Sequence, residues 1–312
     1  MRRLSLPLVG AGGEPINFIA TINSHGIASL PPVKPNADFA TELQITLRLD
    51  DAVRTARLSQ GKPGSVAIDV LGEAPVNSRL VKRAVRHILR LDQDLSDFYA
   101  AAAVDPLLDW VTAGYGRMTR CQTVFEDVIK TILTTNCNWA ATVKMNERLV
   151  TELGEPDAAY PQEPPYGRAF PVPAAMADQD ETFYRTVIRA GYRAPHLVKL
   201  ARDVASGDLD LEALGTANAD EVPDDELEKR LLALPGVGPY AAAHIMHMMG
   251  RFSRLILDSW TRPNFARLIG VESISDAEIR ERFALYGGRA GLAFWLTVTR
   301  HWFADQAAGD AL

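Results

Sequence analysis

Apolar residues recur at helical spacing on both sides of one short turn, at Leu227, Leu231 and Leu234 before it and through residues 240–249 after it. Pro235 and Gly236 force a reversal between them, so LPGVG predicts a helix-hairpin-helix. Gly236 and Gly238 are free to take positive φ, and without a Cβ their amides can approach another surface closely. The free N–H groups that open the second helix favour an anion such as a phosphate. An element of this kind grips nucleic-acid backbone and reads no sequence.

Elsewhere the pattern changes character near residue 95. Before it, residues 17–23, 42–49 and 65–70 carry β-branched content and read as strands, punctuated by Gly12-Gly13, Pro31-Pro32 and residues 61–64. Arg79, Lys82, Arg83, Arg86 and Arg90 alternate with Val81, Ala84, Val85, Ile88, Leu89 and Leu91, which predicts an amphipathic helix packed on that sheet, most of its basic side chains sharing one face. After it, helical patterns dominate, at residues 124–133, 139–153, 181–190 and 196–206. Six prolines between 156 and 173 predict an irregular surface connection. The fold class is therefore α+β: an antiparallel sheet domain with a packed helix over residues 1–95, then an all-helical domain over 96–312.

Asp258 lies twenty positions after Gly238, behind the apolar run Leu255-Ile256-Leu257 and ahead of Ser259. It reads as an N-cap for a helix over residues 260–269. A catalytic carboxylate can cap as well, so both roles stay open. Net charge of −6 does not advertise a nucleic-acid partner, but its distribution does more. Residues 203–228 hold ten acids and no Lys or Arg, whereas 229–312 hold ten basic and seven acidic residues. The hairpin half is locally basic, and Arg251, Arg254, Arg262 and Arg267 surround Asp258 in sequence; one or two of them are candidates for phosphate contact.

The hairpin with its aspartate resembles the helix-hairpin-helix DNA glycosylases. Ordered upstream and downstream stretches resemble their 8-oxoguanine branch: Phe125-Glu126, residues 132–138 (ILTTNCN), residues 191–194 (GYRA) and residues 286–291 (YGGRAG), a likeness spanning roughly 117–300, and a sheet domain followed by a helical one resembles the layout of the 8-oxoguanine and 3-methyladenine glycosylases. The resemblance implies two helical subdomains with a catalytic cleft between them. It implies a carboxylate role for Asp258 at the glycosidic bond, DNA contacts at Gly236, Gly238 and Tyr240, and filling of the vacated base stack by Asn136, Tyr192 and Arg193. From the residues alone, Asn136 reads as a turn residue and Tyr192 as a core aromatic. Bifunctional relatives carry a Schiff-base lysine where this chain has Tyr240, so the resemblance implies a monofunctional enzyme of base excision repair. Family pocket residues align with His244 and Phe294, neither matching in type, so the damaged base, alkylated or oxidised, stays open. The family also implies a monovalent cation, sodium or potassium, held in the hairpin by the carbonyls of Leu232, Leu234 and Val237; no other cofactor is expected.

Trp295, Trp302 and Phe303 read as pocket or core, core being the simpler assignment. Cys121 and Cys137 are too few for an iron–sulfur or four-cysteine metal site. With no convincing signal peptide and no apolar run long enough to span a bilayer, the expectation is a cytoplasmic monomer acting on double-stranded damaged DNA, nucleoid-associated if bacterial. Two other readings stand beside it: a non-catalytic protein that binds distorted DNA, and an enzyme acting on RNA through the same scaffold.

Overall fold

A computed structural model describes residues 1–50 and 52–303. Five strands, β1 (Arg2–Pro7), β2 (Val33–Pro35), β3 (Glu42–Arg48), β4 (Val53–Gln60) and β5 (Ser65–Val70), form one antiparallel sheet in the order β1-β5-β4-β3-β2. The predicted strands at 42–49 and 65–70 are β3 and β5. Residues 17–23 are not a strand. They form the short helix α1 (Phe18–Ile22), because the Asn17 carboxamide accepts the Ala20 N–H at 3.0 Å and the Thr21 hydroxyl donates to the Asn17 carbonyl at 2.7 Å. A local cap outweighs the strand preference of two isoleucines and a threonine.

Helix α2 (Ser78–Ile88) lies on the sheet through Val81, Ala84, Val85 and Ile88, whose one-sided spacing matches the 3.6-residue period. Arg90 departs from the expected basic face. It is 4% exposed and donates to the His247 carbonyl at 3.1 Å, so it joins the sheet domain to the helical part and is unavailable to a partner.

Twelve further helices follow: α3 (Ser96–Ala102), α4 (Val124–Thr134), α5 (Trp139–Leu153), α6 (Pro173–Ala177), α7 (Glu181–Thr186), α8 (Ala194–Ser206), α9 (Leu211–Thr216), α10 (Asp224–Leu232), α11 (Pro239–Met249), α12 (Thr261–Leu268), α13 (Asp276–Phe283) and α14 (Ala290–Thr299). They enclose two apolar cores. One gathers residues from α4 to α11 around Val128, Ile132, Leu197 and Leu231. The other combines Leu95, Phe98, Val111 and Met118, which precede α4, with Phe252, Phe265, Phe283 and Phe294, which follow α11. Helix α11 serves both, giving Ala241, Ala242, Ile245, Met246 and Met249 to the first core and Ala243 and Met248 to the second. No helix of the described residues is long and apolar enough to cross a membrane.

Two buried polar groupings fasten the sheet domain to the helices. Arg117 and Glu14 pair at 2.6 Å with almost no exposure on either side chain, and Glu14 also accepts the Leu95 N–H at 2.9 Å. Nearby, His25 from the sheet-domain side meets His244 of α11 edge-on at 6.1 Å, with His247 one helical turn further. Burial pushes His25 and His247 down to about 3 and His244 to about 4. All three imidazoles are neutral near pH 7.

Glu14→Ala strands the buried guanidinium of Arg117, and urea unfolding is expected to show a loss of about 3–5 kcal/mol. Acid provides a second measurement. His25, His244, His247 and His87, the last also lowered to about 4 mainly by burial, take up protons on unfolding once pH falls below their unfolded value of 6.5. Buried Asp127, raised to about 7, releases one on unfolding above its unfolded value of 3.8 and so opposes them. The balance favours the unfolded chain as pH drops from about 6.5 toward 4, by at most on the order of 4 kcal/mol per pH unit. Stability that stayed flat from pH 7 to 5 would contradict this.

Candidate active site

The hairpin between α10 and α11 turns as its sequence requires. Gly236 sits at φ +81°, and a Cβ there would press on the His196 ring at 3.1 Å, so both backbone conformation and space call for glycine. Gly238 is different. Its φ is −102° with extended ψ, so positive φ is not what it supplies. A Cβ on Gly238 would meet nothing within 4 Å, and Pro239 follows at the first position of α11. Gly238 therefore leaves open approach to the N–H groups at the start of a long buried helix, the setting in which an anion is favoured.

A cleft of about 1050 Å³ opens beside the hairpin, and Gly236, Gly238, Tyr240, His244, Asn136, Tyr192 and Asp258 all border it. Residues separated by more than a hundred positions thus converge on one surface. Asp258 carries out its two possible tasks with separate oxygens. Its Oδ1 accepts the N–H of Trp260 at 2.8 Å and of Thr261 at 2.6 Å, capping α12, while the Thr261 hydroxyl accepts the Asp258 N–H at 2.9 Å. Oδ2 takes no hydrogen bond from the described residues. A partly buried carboxylate is thereby fixed in orientation with one oxygen left for another partner.

Tyr240 stands at the mouth of α11, stacked on His244 with ring centroids 5.8 Å apart and planes within 20°. Burial raises its phenol above the ordinary value, with Thr134 bonding to it in opposition. The position thus holds a neutral hydroxyl and no amine.

On the facing wall, Asn136 adopts φ +46°, uncommon outside glycine, immediately after α4. Its side-chain amide donates to the Tyr192 hydroxyl at 3.0 Å, and Thr135 bonds the same hydroxyl at 3.1 Å. Tyr192 remains half exposed at the rim. Arg193 does not join it there. The guanidinium lies 4.6 Å from the Tyr192 ring centroid, is 5% exposed, and donates to the Thr135 and Ala190 carbonyls, so it braces the Asn136 turn from behind and presents nothing to a partner.

Phe294 is also displaced from its expected place. It is fully buried between Phe265 and Phe283 at centroid distances of 5.6 and 5.4 Å, in the second core. Its neighbour Trp295 borders the cleft instead. Adjacent helical residues point about 100° apart, so a one-position error in alignment exchanges core for cleft. Trp295 donates through its indole N–H to the Ser24 carbonyl at 2.9 Å and meets Trp260 and Trp302 at 6.2 and 5.8 Å. Trp139 completes an aromatic lining by resting on Gly26, where a Cβ would approach its ring to 2.9 Å. Sequence reasoning left Trp260, Trp139, Gly26 and Ile27 out altogether.

The arginines around Asp258 are mostly committed elsewhere. Arg251 pairs with Asp224, Arg254 with Glu228 at 2.7 Å and with Asp225, and Arg262 with Asp276 at 2.6 Å. Arg267 is exposed and bonds Asn264 at 3.0 Å. Among the described residues no group of three His, Cys, Asp or Glu side chains could hold a metal. The hairpin carbonyls are another matter: Leu234 accepts the Val237 N–H at 3.2 Å, and among the described residues no turn hydrogen bond ends on Leu232 or Val237. Their oxygens are chemically suited to a monovalent cation.

No family model matches the chain. A DNA-3-methyladenine glycosylase of Bacillus subtilis is 30% identical over 169 residues, 52% of each protein, so the chain spans about half the length of this curated relative. Among solved structures, MBOgg1 in complex with a low-affinity DNA ligand superposes with a TM-score of 0.72 at 20% identity, covering 96% of both chains. The 3-methyladenine DNA glycosylase of Archaeoglobus fulgidus gives 0.72 at 18% identity over 96% of this chain and 99% of its own. The 8-oxoguanine glycosylase/lyase of Clostridium acetobutylicum, in its apo form, gives 0.70 at 21% identity over 92% and 94%. The chain thus has the fold of these DNA glycosylases, an antiparallel sheet domain followed by a helix-hairpin-helix domain, and shares sequence with one of them over half its length.

Proposed function

We propose that this protein is a monofunctional DNA glycosylase of the helix-hairpin-helix family, acting in base excision repair on a damaged base flipped from duplex DNA. The observation that carries the reading is the divided carboxylate of Asp258: one oxygen caps α12, the other takes no hydrogen bond from the described residues, and the residue borders the same cleft as the hairpin glycines. The similarity to proteins named 3-methyladenine and 8-oxoguanine glycosylases supports it.

In this reading the amides at Gly236 and Gly238 hold a backbone phosphate, with a sodium or potassium ion on the carbonyls of Leu232, Leu234 and Val237 stiffening the turn. Flipping leaves a gap that Asn136 and Tyr192 fill, the amide bonding an orphaned base edge and the ring stacking. As the glycosidic bond breaks, the base leaves with its electron pair and positive charge develops on the sugar, which the Asp258 carboxylate stabilises; the same carboxylate orients the water that adds to the sugar and accepts its proton once the new bond has formed. Tyr240 offers no amine for a Schiff base, so the product is an intact strand with an abasic site. The aromatic lining of Trp139, Tyr240, Trp260 and Trp295 favours an alkylated, cationic base, because ring faces attract positive charge.

Asp258→Asn preserves a good capping residue, so folding and DNA binding are expected to persist while base release falls by about 10²-fold or more. Unchanged release would refute the catalytic role. With duplexes that each carry one modified base, strand cleavage is expected only after alkali or heat, and borohydride is expected to trap no protein–DNA adduct. A trapped adduct would overturn the monofunctional assignment.

A further inference from the structure

This inference rests on the glycosylase reading and concerns how the cleft selects among damaged bases. The imidazole of His244 forms part of the cleft wall yet is only 4% exposed. Three rings fix it: Tyr240 stacked on its face, His25 edge-on at 6.1 Å and Trp295 edge-on at 6.1 Å. Nδ1 is buried and has no hydrogen-bond partner, and no hydrogen bond from the described residues reaches Nε2, which leaves Nε2 as the nitrogen available to the cleft that the ring borders. The side chain joins no hydrogen-bonded network among the described residues and yet borders a cavity large enough for a base.

A neutral imidazole has one N–H and one lone pair, and the surroundings decide which nitrogen holds the proton. Burial lowers the pKa of His244 to about 4, so the ring is neutral at pH 7. A proton on Nδ1 would leave a buried donor orphaned among aromatic rings. A lone pair there is the better tolerated defect, since under-satisfied acceptors are less rare in folded proteins than orphaned donors. The N–H therefore sits on Nε2, directed at the cleft, where it requires an acceptor.

We propose that His244 is a specificity-determining residue whose Nε2–H donates to an exocyclic carbonyl oxygen of the flipped base, so that the pocket favours 6-oxopurine lesions over their 6-amino counterparts. Guanine carries an acceptor at O6 where adenine carries an amino donor. The oxygen receives the hydrogen bond; the amine sets donor against donor. Tyr240, stacked in front, holds the imidazole in place, and Asp258 stays reserved for the sugar.

Dimethyl-sulfate-treated duplex DNA supplies matched probes in one sample: 7-methylguanine with 7-methyladenine, and 3-methylguanine with 3-methyladenine. Within each pair the methyl position and charge agree. Chromatography of the released bases, corrected for the abundance of each, is expected to show the intact protein favouring the guanine member about tenfold. His244→Phe keeps a stacking ring without a donor and is expected to bring both ratios toward one. His244→Gln, whose amide can turn its oxygen to an amine, is expected to do the same. Both bases are released by the same molecules, so partial misfolding of a variant lowers both yields and leaves the ratio readable. Equal release by the intact protein, preference for the adenine member, or ratios unchanged in both variants would overturn the proposal while leaving the glycosylase reading in place. Failure of the intact protein to release any base from any of the damaged duplexes would overturn that reading and this inference with it.

Discussion

Helix α11 has almost no solvent side, and the architecture of the site depends on that. Residues 241–249 are all buried, shared between two apolar cores that are otherwise built from separate stretches of chain. A helix wedged in this way cannot shift without disturbing both cores, because interiors packed at crystal-like density transmit displacement rather than absorb it. The hairpin at its N-terminus is consequently held at a fixed position, as is His244 on its side. Both helical halves meet along α11, and the cleft forms where they part.

The same economy of parts recurs at Asp258. The carboxylate could have been consumed as a cap, and one of its oxygens is. Because Trp260 and Thr261 bond the same oxygen, the group is immobilised without being exhausted. Orientation fixed in advance is what electrostatic stabilisation of a transient cation requires, since no reorganisation then accompanies the charge as it develops. The wall opposite is equally preset, with Arg193 buried behind the Asn136 turn and Tyr192 tied to it through two hydrogen bonds. Rigid sides and an aromatic lining suit a cleft meant to receive a flat group in one orientation.

Much of this was legible in the sequence wherever the signal was local. LPGVG specifies a turn by the chemistry of proline and glycine, and the spacing to Asp258 needs only a helix of ordinary length between them. Helices 124–133 and 139–153 and strands 42–49 and 65–70 announced themselves by periodicity and match α4, α5, β3 and β5 closely. What was missed depends on the third dimension. The Asn17 cap converted a strand-like stretch into α1, and Trp295 displaced Phe294 from the cleft by one helical step. Arg251, Arg254 and Arg262 looked available for phosphate because their partners on α10 and α13 lie 14 to 29 residues away. Arg193 looked like a wedge for the same reason, its partner Thr135 lying 58 residues away at the end of α4.

The most direct test of the account is a crystal structure with duplex DNA containing a pyrrolidine abasic analogue, whose protonated ring nitrogen occupies the place of the cationic sugar carbon. The account predicts that nitrogen within hydrogen-bonding distance of Asp258 Oδ2, with Oδ1 still capping α12 and a phosphate on the amides that follow Gly236. A pyrrolidine bound away from Asp258, or an Oδ2 turned from the cleft toward a protein partner, would contradict it.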